Sequence, residues 1–311
     1  MADTGHSCDE YCVEHHEKVD DSPVGKLLRG AIDSHLHFSP DSVPRRYNAL
    51  ESALKAQEAG LRGIVIKNHT YPTAPLARLV GELVPDVAVV GGVCLEYEAG
   101  GVNPHAVEMS AKLGGKIVWM PVFCSANSRA LVGRRLGLDI PGEGLSILDA
   151  DGKLVPEIDP ILKIVKEYDL TLATGHISAP EILALVDRAK LAGVTRIVVT
   201  HAMSDFLSES ILTPAERQSL AGEGVLIEHC AWQILPTGGC TDPAVVAESI
   251  RREGARNCVM STDSGGVPHP VMSEGLRMFI AAMLKCGLSE EDINYMVKIN
   301  PARIVGLPPE E

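Results

Sequence analysis

Short apolar runs rich in β-branched residues recur along this chain, separated by stretches with helical spacing. The runs fall at residues 31–37, 63–69, 87–94, 116–122, 170–176, 196–201, 224–229 and 258–263. Most are nearly continuous in their apolar character, as strands buried on both faces of a parallel sheet are. Between them, helical periodicity predicts helices over 47–59, 75–83, 104–113, 160–168, 179–192, 274–286 and 290–300. The first carries Ala49, Leu50, Ala53, Leu54 and Ala56 on one face and is stopped by Gly60. The rhythm breaks once, at residues 124–160, where 145–155 around Asp151-Gly152 is expected to form a hairpin.

Eight such strands, each followed by a helical segment, predict an α/β fold: a (β/α)8 TIM barrel with a long insertion after strand 4. That fold typically takes about 250 residues and carries its chemistry at the C-terminal strand ends. The competing doubly wound sheet would place a Gly-rich phosphate loop after its first strand, and none occurs here. Gly91-Gly92, inside the third strand, suggests close packing. The expected organisation is a polar tail over residues 1–26, one domain over 27–307 and a short tail over 308–311. Cys8, Cys12, His15 and His16 in the first tail are too loosely spaced for a zinc knuckle, and a disordered or docked arm is expected.

Composition narrows the classes. A net charge of -13 argues against a general nucleic-acid binder or a binder of anionic membranes, whose affinity comes from clustered Lys and Arg. No apolar run approaches the roughly 20 residues that span a bilayer. The first residues lack the apolar core of a signal peptide. Eight cysteines without small-domain spacing are expected to be reduced thiols, which points to a cytoplasmic protein.

The candidate chemistry lies at the strand ends. His35 and His37 end strand one, and alternation along a strand points both imidazoles the same way. Lys67 and His69 end strand two, and Glu96 follows strand three. His176, His201 and His229 end strands five, six and seven, and Asp263 ends strand eight. In a closed barrel these ends converge on one mouth. Any one of these histidines could be a satisfied core residue. Five strands ending on histidine, with an aspartate on the last, describe a polar catalytic mouth.

With these residues the chain resembles the amidohydrolase superfamily of metal-dependent hydrolases. The family motif is His-x-His after strand one, a bridging carboxylated Lys or Glu after strand four, a His after each of strands five and six, and an Asp after strand eight. His35 and His37, His176, His201 and Asp263 match it. The ending Asn300-Pro301-Ala302-Arg303-Ile304-Val305-Gly306-Leu307 resembles the segment that often closes these barrels. The resemblance runs from about residue 31 to 307. It implies a divalent metal, most often zinc, as one or two ions, a small-molecule substrate, and a homo-oligomer.

One departure bears on the metal count. Strand four ends in Met120-Pro121-Val122-Phe123, with no bridging Lys or Glu. Lys67, carboxylated to a carbamate, could bridge from strand two. It could equally remain an ammonium that orients substrate or pairs with Asp263. Glu96 is a second bridging candidate.

The resemblance implies a water activated by the metal and Asp263 as its proton shuttle. His69, His229 and the pair Arg45-Arg46 are candidates to polarise a carbonyl or anchor substrate, as is Arg129 in the insertion. The insertion itself could form a lid. Cys230 reads as a buried thiol, His269 and His105 as structural residues, and Trp119 as either barrel packing or pocket floor. The activity expected first is hydrolysis of an amide, cyclic amide, carbamate or lactone. A metal-dependent non-oxidative decarboxylase is the alternative, and a non-enzymatic metal-binding barrel the third reading.

Overall fold

The computed structural model describes residues 20–308, apart from 206 and 208. The Cys8, Cys12, His15 and His16 group therefore lies outside the described residues. Helix α1 (Pro23–Leu28) leads into β1 (Ile32–His37), then α2 (Ala49–Glu58), β2 (Gly63–Lys67), α3 (Ala74–Leu83), β3 (Ala88–Val90) and β4 (Gly92–Cys94). Next come α4 (Pro104–Lys112), β5 (Ile117–Trp119), α5 (Arg129–Leu136), α6 (Ile158–Glu167), β6 (Thr171–Ala173), α7 (Ala179–Ala192), β7 (Ile197–Val199) and α8 (Pro214–Gly222). The chain ends with β8 (Leu226–Cys230), α9 (Pro243–Glu253), β9 (Cys258–Ser261), α10 (Met272–Lys285), α11 (Glu290–Asn294) and α12 (Asn300–Val305).

Local chemistry starts several of these helices. Asn48 with Glu51, Ser178 with Glu181 and Thr213 with Glu216 form reciprocal capping boxes at α2, α7 and α8. Each pairs donors that the first helical turn leaves open, and Pro follows the cap in α7 and α8.

All strand pairs are parallel. One sheet runs β1-β2-β3 and the other β4-β5-β6-β7-β8-β9. The single strand expected over 87–94 is broken, because the start of α3 wedges against it. Thr73 N–H donates to the Gly92 carbonyl at 2.9 Å, and Gly92 N–H donates to Thr73 Oγ1 at 2.9 Å. A Cβ on Gly91 would lie 2.7 Å from the Thr73 carbonyl, so only glycine fits there. At the other end of the sheets β9 runs beside β1. Asp263 N–H donates to the His35 carbonyl and His37 N–H to the Ser264 carbonyl, at 2.9 and 2.8 Å.

Two layers of core follow. Between strands and helices lies one large apolar cluster that includes Leu36, Ile64, Val118, Leu172 and Phe279. On the other side of the strands lies a smaller one: Ile32, Val65, Cys94, Ile117, Trp119 and Val259, with Ala302, Ile304 and Val305 of α12 packed against it. Asn300 Nδ2 donates to the Cys258 carbonyl at 2.7 Å, which fixes α12 against this smaller core. Trp119 thus belongs to the interior packing, beneath the strand ends.

The connection from β5 to α6 differs from expectation. The hairpin expected over 145–155 is a turn at Asp149–Gly152 with one antiparallel bridge, Leu148 to Leu154, and no strands. Glu181 of α7 holds it by accepting from Ile147 N–H and Ser146 Oγ. The helix α5 was not expected, because its sequence RALVGRRL has a weak apolar face. Among the described residues no helix is long and apolar enough to cross a membrane.

Candidate metal centre

The strand ends meet around a cavity of about 380 Å³ lined by His37, Lys67, His69, His176, His201 and Asp263, among others. His35 lies just beneath. As alternation demands, the strand-one imidazoles point the same way, with ring centroids 5.3 Å apart. Asp263 faces them: its Oδ1 is 3.4 Å from His35 Nε2 and 3.2 Å from His37 Nε2, and its Oδ2 is 3.7 Å from His201 Nε2. Lys67 is fully buried, with Nζ 3.2 Å from His35 Nε2 and above the Trp119 ring.

Four imidazoles are braced from behind through Nδ1. Glu228 Oε1 meets His35 Nδ1 at 3.0 Å, Glu96 Oε1 meets His69 Nδ1 at 3.4 Å, Ser128 Oγ meets His176 Nδ1 at 3.0 Å, and Cys230 Sγ meets His201 Nδ1 at 3.4 Å. Such braces set ring orientation and leave Nε2 free to act. His69 is further clamped between the rings of Phe123 and His37, with centroids 3.7 and 4.7 Å away.

This donor set fits a divalent cation. The Nε2 atoms of His69 and His176 are buried and have no hydrogen-bond partner among the described residues. An unsatisfied buried polar atom costs roughly 1–3 kcal/mol, a cost that a cation would relieve. Burial holds His37, His69 and His176 well below the usual imidazole range and His201 at about 4, so the rings are neutral and can donate lone pairs. Burial opposes ionisation of Asp263 too, but the surrounding His35, His201 and His37 outweigh it and hold the carboxyl well below its ordinary value. His201 and Asp263 both sit at positive φ, 50° and 52°. That left-handed backbone costs about 1–3 kcal/mol per residue and is a common mark of functional positions.

Several expected residues lie elsewhere. His229 is not at the mouth: its Nε2 is 2.9 Å from Glu253 Oε2 of α9, on the helix side of β8. The residue that faces inward is its neighbour Glu228, because successive strand side chains alternate. A glutamate inside an apolar run marks a buried polar residue, but does not say which way it faces. Glu96 does not bridge between metal ligands. Its two carboxylate oxygens accept from the backbone N–H groups of Phe123 and Cys124 at 2.8 Å each, and it orients His69. Arg46 donates to the His269 carbonyl and lies over the Tyr47 ring. Arg129 donates to the Ile140 carbonyl at 2.9 Å, within the segment around α5. Neither lines the cavity; Arg45 and Arg135 do, and so does His269, which the sequence suggested was structural.

Parallel strands deliver His, Lys and Asp to one end, and solved structures share this fold. The structure is similar to an amidohydrolase from Pseudomonas aeruginosa (TM-score 0.58, 12% identity, covering 91% of this chain and 98% of that one). It is also similar to an organophosphorus hydrolase from Deinococcus radiodurans (0.55, 14%, 91% and 94%). A third likeness is to 2,6-dihydroxybenzoate decarboxylase bound to 2,6-dihydroxybenzoate (0.54, 14%, 90% and 100%). Comparison with curated proteins gives no match. Residues 30–228 match the model of a family of unknown function, DUF6282, and the chain belongs to that family.

Proposed function

We propose that the two sheets form one closed (β/α)8 barrel and that the protein is a metal-dependent hydrolase. For closure, the support is the hydrogen bonding between β1 and the end of β9 together with the single break at Gly91. The observation that carries the activity is the position of Asp263, whose carboxylate spans His35 and His37 on one side and His201 on the other.

His35, His37, His176, His201 and Asp263 would hold the cation, zinc by the His-rich donor set, as one or two ions. When bound, such a cation lowers the pKa of a coordinated water to about 7 and polarises a substrate oxygen. Asp263 takes the proton of the attacking water on one carboxylate oxygen and returns it to the leaving group. Lys67 would serve either as a carbamate that adds an anionic donor to the cation site or as an ammonium beside His35. His69, held by Glu96 and Phe123, presents Nε2 to the substrate. Phe123, Trp232 and Leu207 in the cavity wall exclude water. The bond cleaved is an amide, cyclic amide, carbamate or lactone.

The likeness to 2,6-dihydroxybenzoate decarboxylase supports a second reading, non-oxidative decarboxylation at the same site. Zinc-loaded protein assayed against panels of amides, lactones and aromatic carboxylates separates the two. Hydrolysis gives an acid with an amine or alcohol, and decarboxylation gives CO₂. Protein that carries no metal after purification and binds none on titration would end both readings. Carbon-13 NMR of the folded protein in ¹³C-bicarbonate, compared with Lys67→Ala, decides the carbamate.

A further inference from the structure

We infer that the substrate carries a carboxylate, read by Arg45, on a compact apolar body. This rests on the enzymatic reading only for the word substrate; the contact itself is a matter of binding. Arg45 is more than nine-tenths buried, with a relative side-chain exposure of 7%, in the wall of the 380 Å³ cavity. Asp41, whose side chain is fully buried, holds it through a single oxygen: Arg45 Nε donates to Oδ2 at 2.7 Å. Nη2 lies 2.6 Å from the same oxygen and makes no hydrogen bond to another acceptor among the described residues. A guanidinium has five donors in a planar fork, and one carboxylate oxygen cannot use them all. With Asp41 on one edge through a single oxygen, the guanidinium keeps donors that this oxygen does not take, and a planar carboxylate is an acceptor that can match two of them at once.

The rest of the wall agrees. The chain as a whole carries a net charge of -13, yet this wall carries three basic side chains, Arg45, Lys67 and Arg135, and the carboxylates that face them are Asp263 in the wall and Asp41 behind Arg45. That local inversion favours anions over neutral or cationic molecules. Val43, Pro44, Phe123, Leu136, Trp232 and Val267 complete an apolar lining for the body of the ligand. The backbone fixes the fork in place: Arg45 pairs with Gly266, and Arg46 N–H donates to the Gly265 carbonyl at 2.9 Å, so the loops after β1 and β9 are zipped together over the mouth.

The test is calorimetric titration of zinc-loaded protein with phenylacetate and with phenylacetamide, its neutral isostere. Charge-assisted hydrogen bonds are worth roughly 1.5–3 kcal/mol, so phenylacetate should bind about ten- to a hundredfold more tightly than the amide. Arg45→Gln should erase that preference and leave the amide unchanged. Arg45→Lys, which keeps the charge opposite Asp41, should lose most of it because an ammonium cannot form the fork. Equal binding of the two probes by the wild type, or no saturable binding of either at millimolar concentration, would overturn the inference. So would a preference that survives in both variants, since the anion would then be read by the metal alone. Turnover plays no part in these measurements, so a failed hydrolase assay and a failed carboxylate preference are separate results.

Discussion

His35 Nδ1 lies 3.0 Å from Glu228 Oε1, a contact between β1 and β8 across 193 residues of sequence. Glu228 is itself held by Ser261 Oγ at 3.0 Å and by the His201 backbone N–H at 3.3 Å. Burial works to raise its pKa, but its interactions with the adjacent His35 prevail and leave it at about 2. A carboxylate behind an imidazole fixes the tautomer and strengthens the ring as a ligand. Glu228→Gln should therefore lower zinc affinity about 10- to 100-fold. Competition with a chromophoric chelator measures this, and an unchanged affinity would reduce Glu228 to a packing residue.

Asp263→Asn keeps the shape of the site while removing the proposed base. Turnover should fall by at least about a hundredfold, with most of the metal retained. Were Asp263 only a ligand, added zinc would rescue the variant. Were it only a partner of buried cations, melting temperature would fall more than rate. Metal content, melting temperature and turnover measured together separate the three roles.

His229 gives the opposite pattern. It is buried against Glu253, which also accepts from Arg217 Nε and Ser249 Oγ at 2.7 Å each. His229→Leu should cost about 1–3 kcal/mol in urea unfolding, through the partner it leaves short of a donor. Zinc content should stay at the wild-type level. A variant of normal stability that has lost its metal would return His229 to the centre.

The same cluster predicts a pH dependence away from the metal ligands. Burial raises the Glu253 pKa, but His229, Ser249 and Arg217 outweigh it and bring it to about 2, against 4.5 for a free glutamate. A depressed carboxyl stabilises the fold above the unfolded value, and that contribution is lost as pH falls from about 4.5 toward 2. The loss should approach 3 kcal/mol, on the order of 1.4 kcal/mol per pH unit. Denaturant unfolding of the wild type and Glu253→Gln across this window tests it. The variant should start less stable and lose less on acidification; parallel curves would show that other carboxyls carry the effect.

Strand positions and the candidate metal-binding residue types were legible in the sequence because both are local. A doubly buried strand must be apolar along its length, and a side chain at its C-terminal end needs no other information to be placed near the mouth. His35, His37, Lys67, His69, His176, His201 and Asp263 could be collected on that basis. Which of Glu228 and His229 faces inward was not legible. The strand period is two, so one residue of phase reverses the faces, and the phase is set by packing of β8 between β7, β9 and the helices outside. The break at Gly91 depends on Thr73, 18 positions earlier in the chain, arriving from α3. The choice among Arg45, Arg46 and Arg129 was likewise tertiary. Each lies in a loop, where a long side chain goes to whichever acceptor the fold brings near: Asp41 at the cavity wall, the His269 carbonyl, or the Ile140 carbonyl. Residue type and strand ends were written locally, while side-chain direction and loop partners were decided by contacts between segments that only the folded chain brings together.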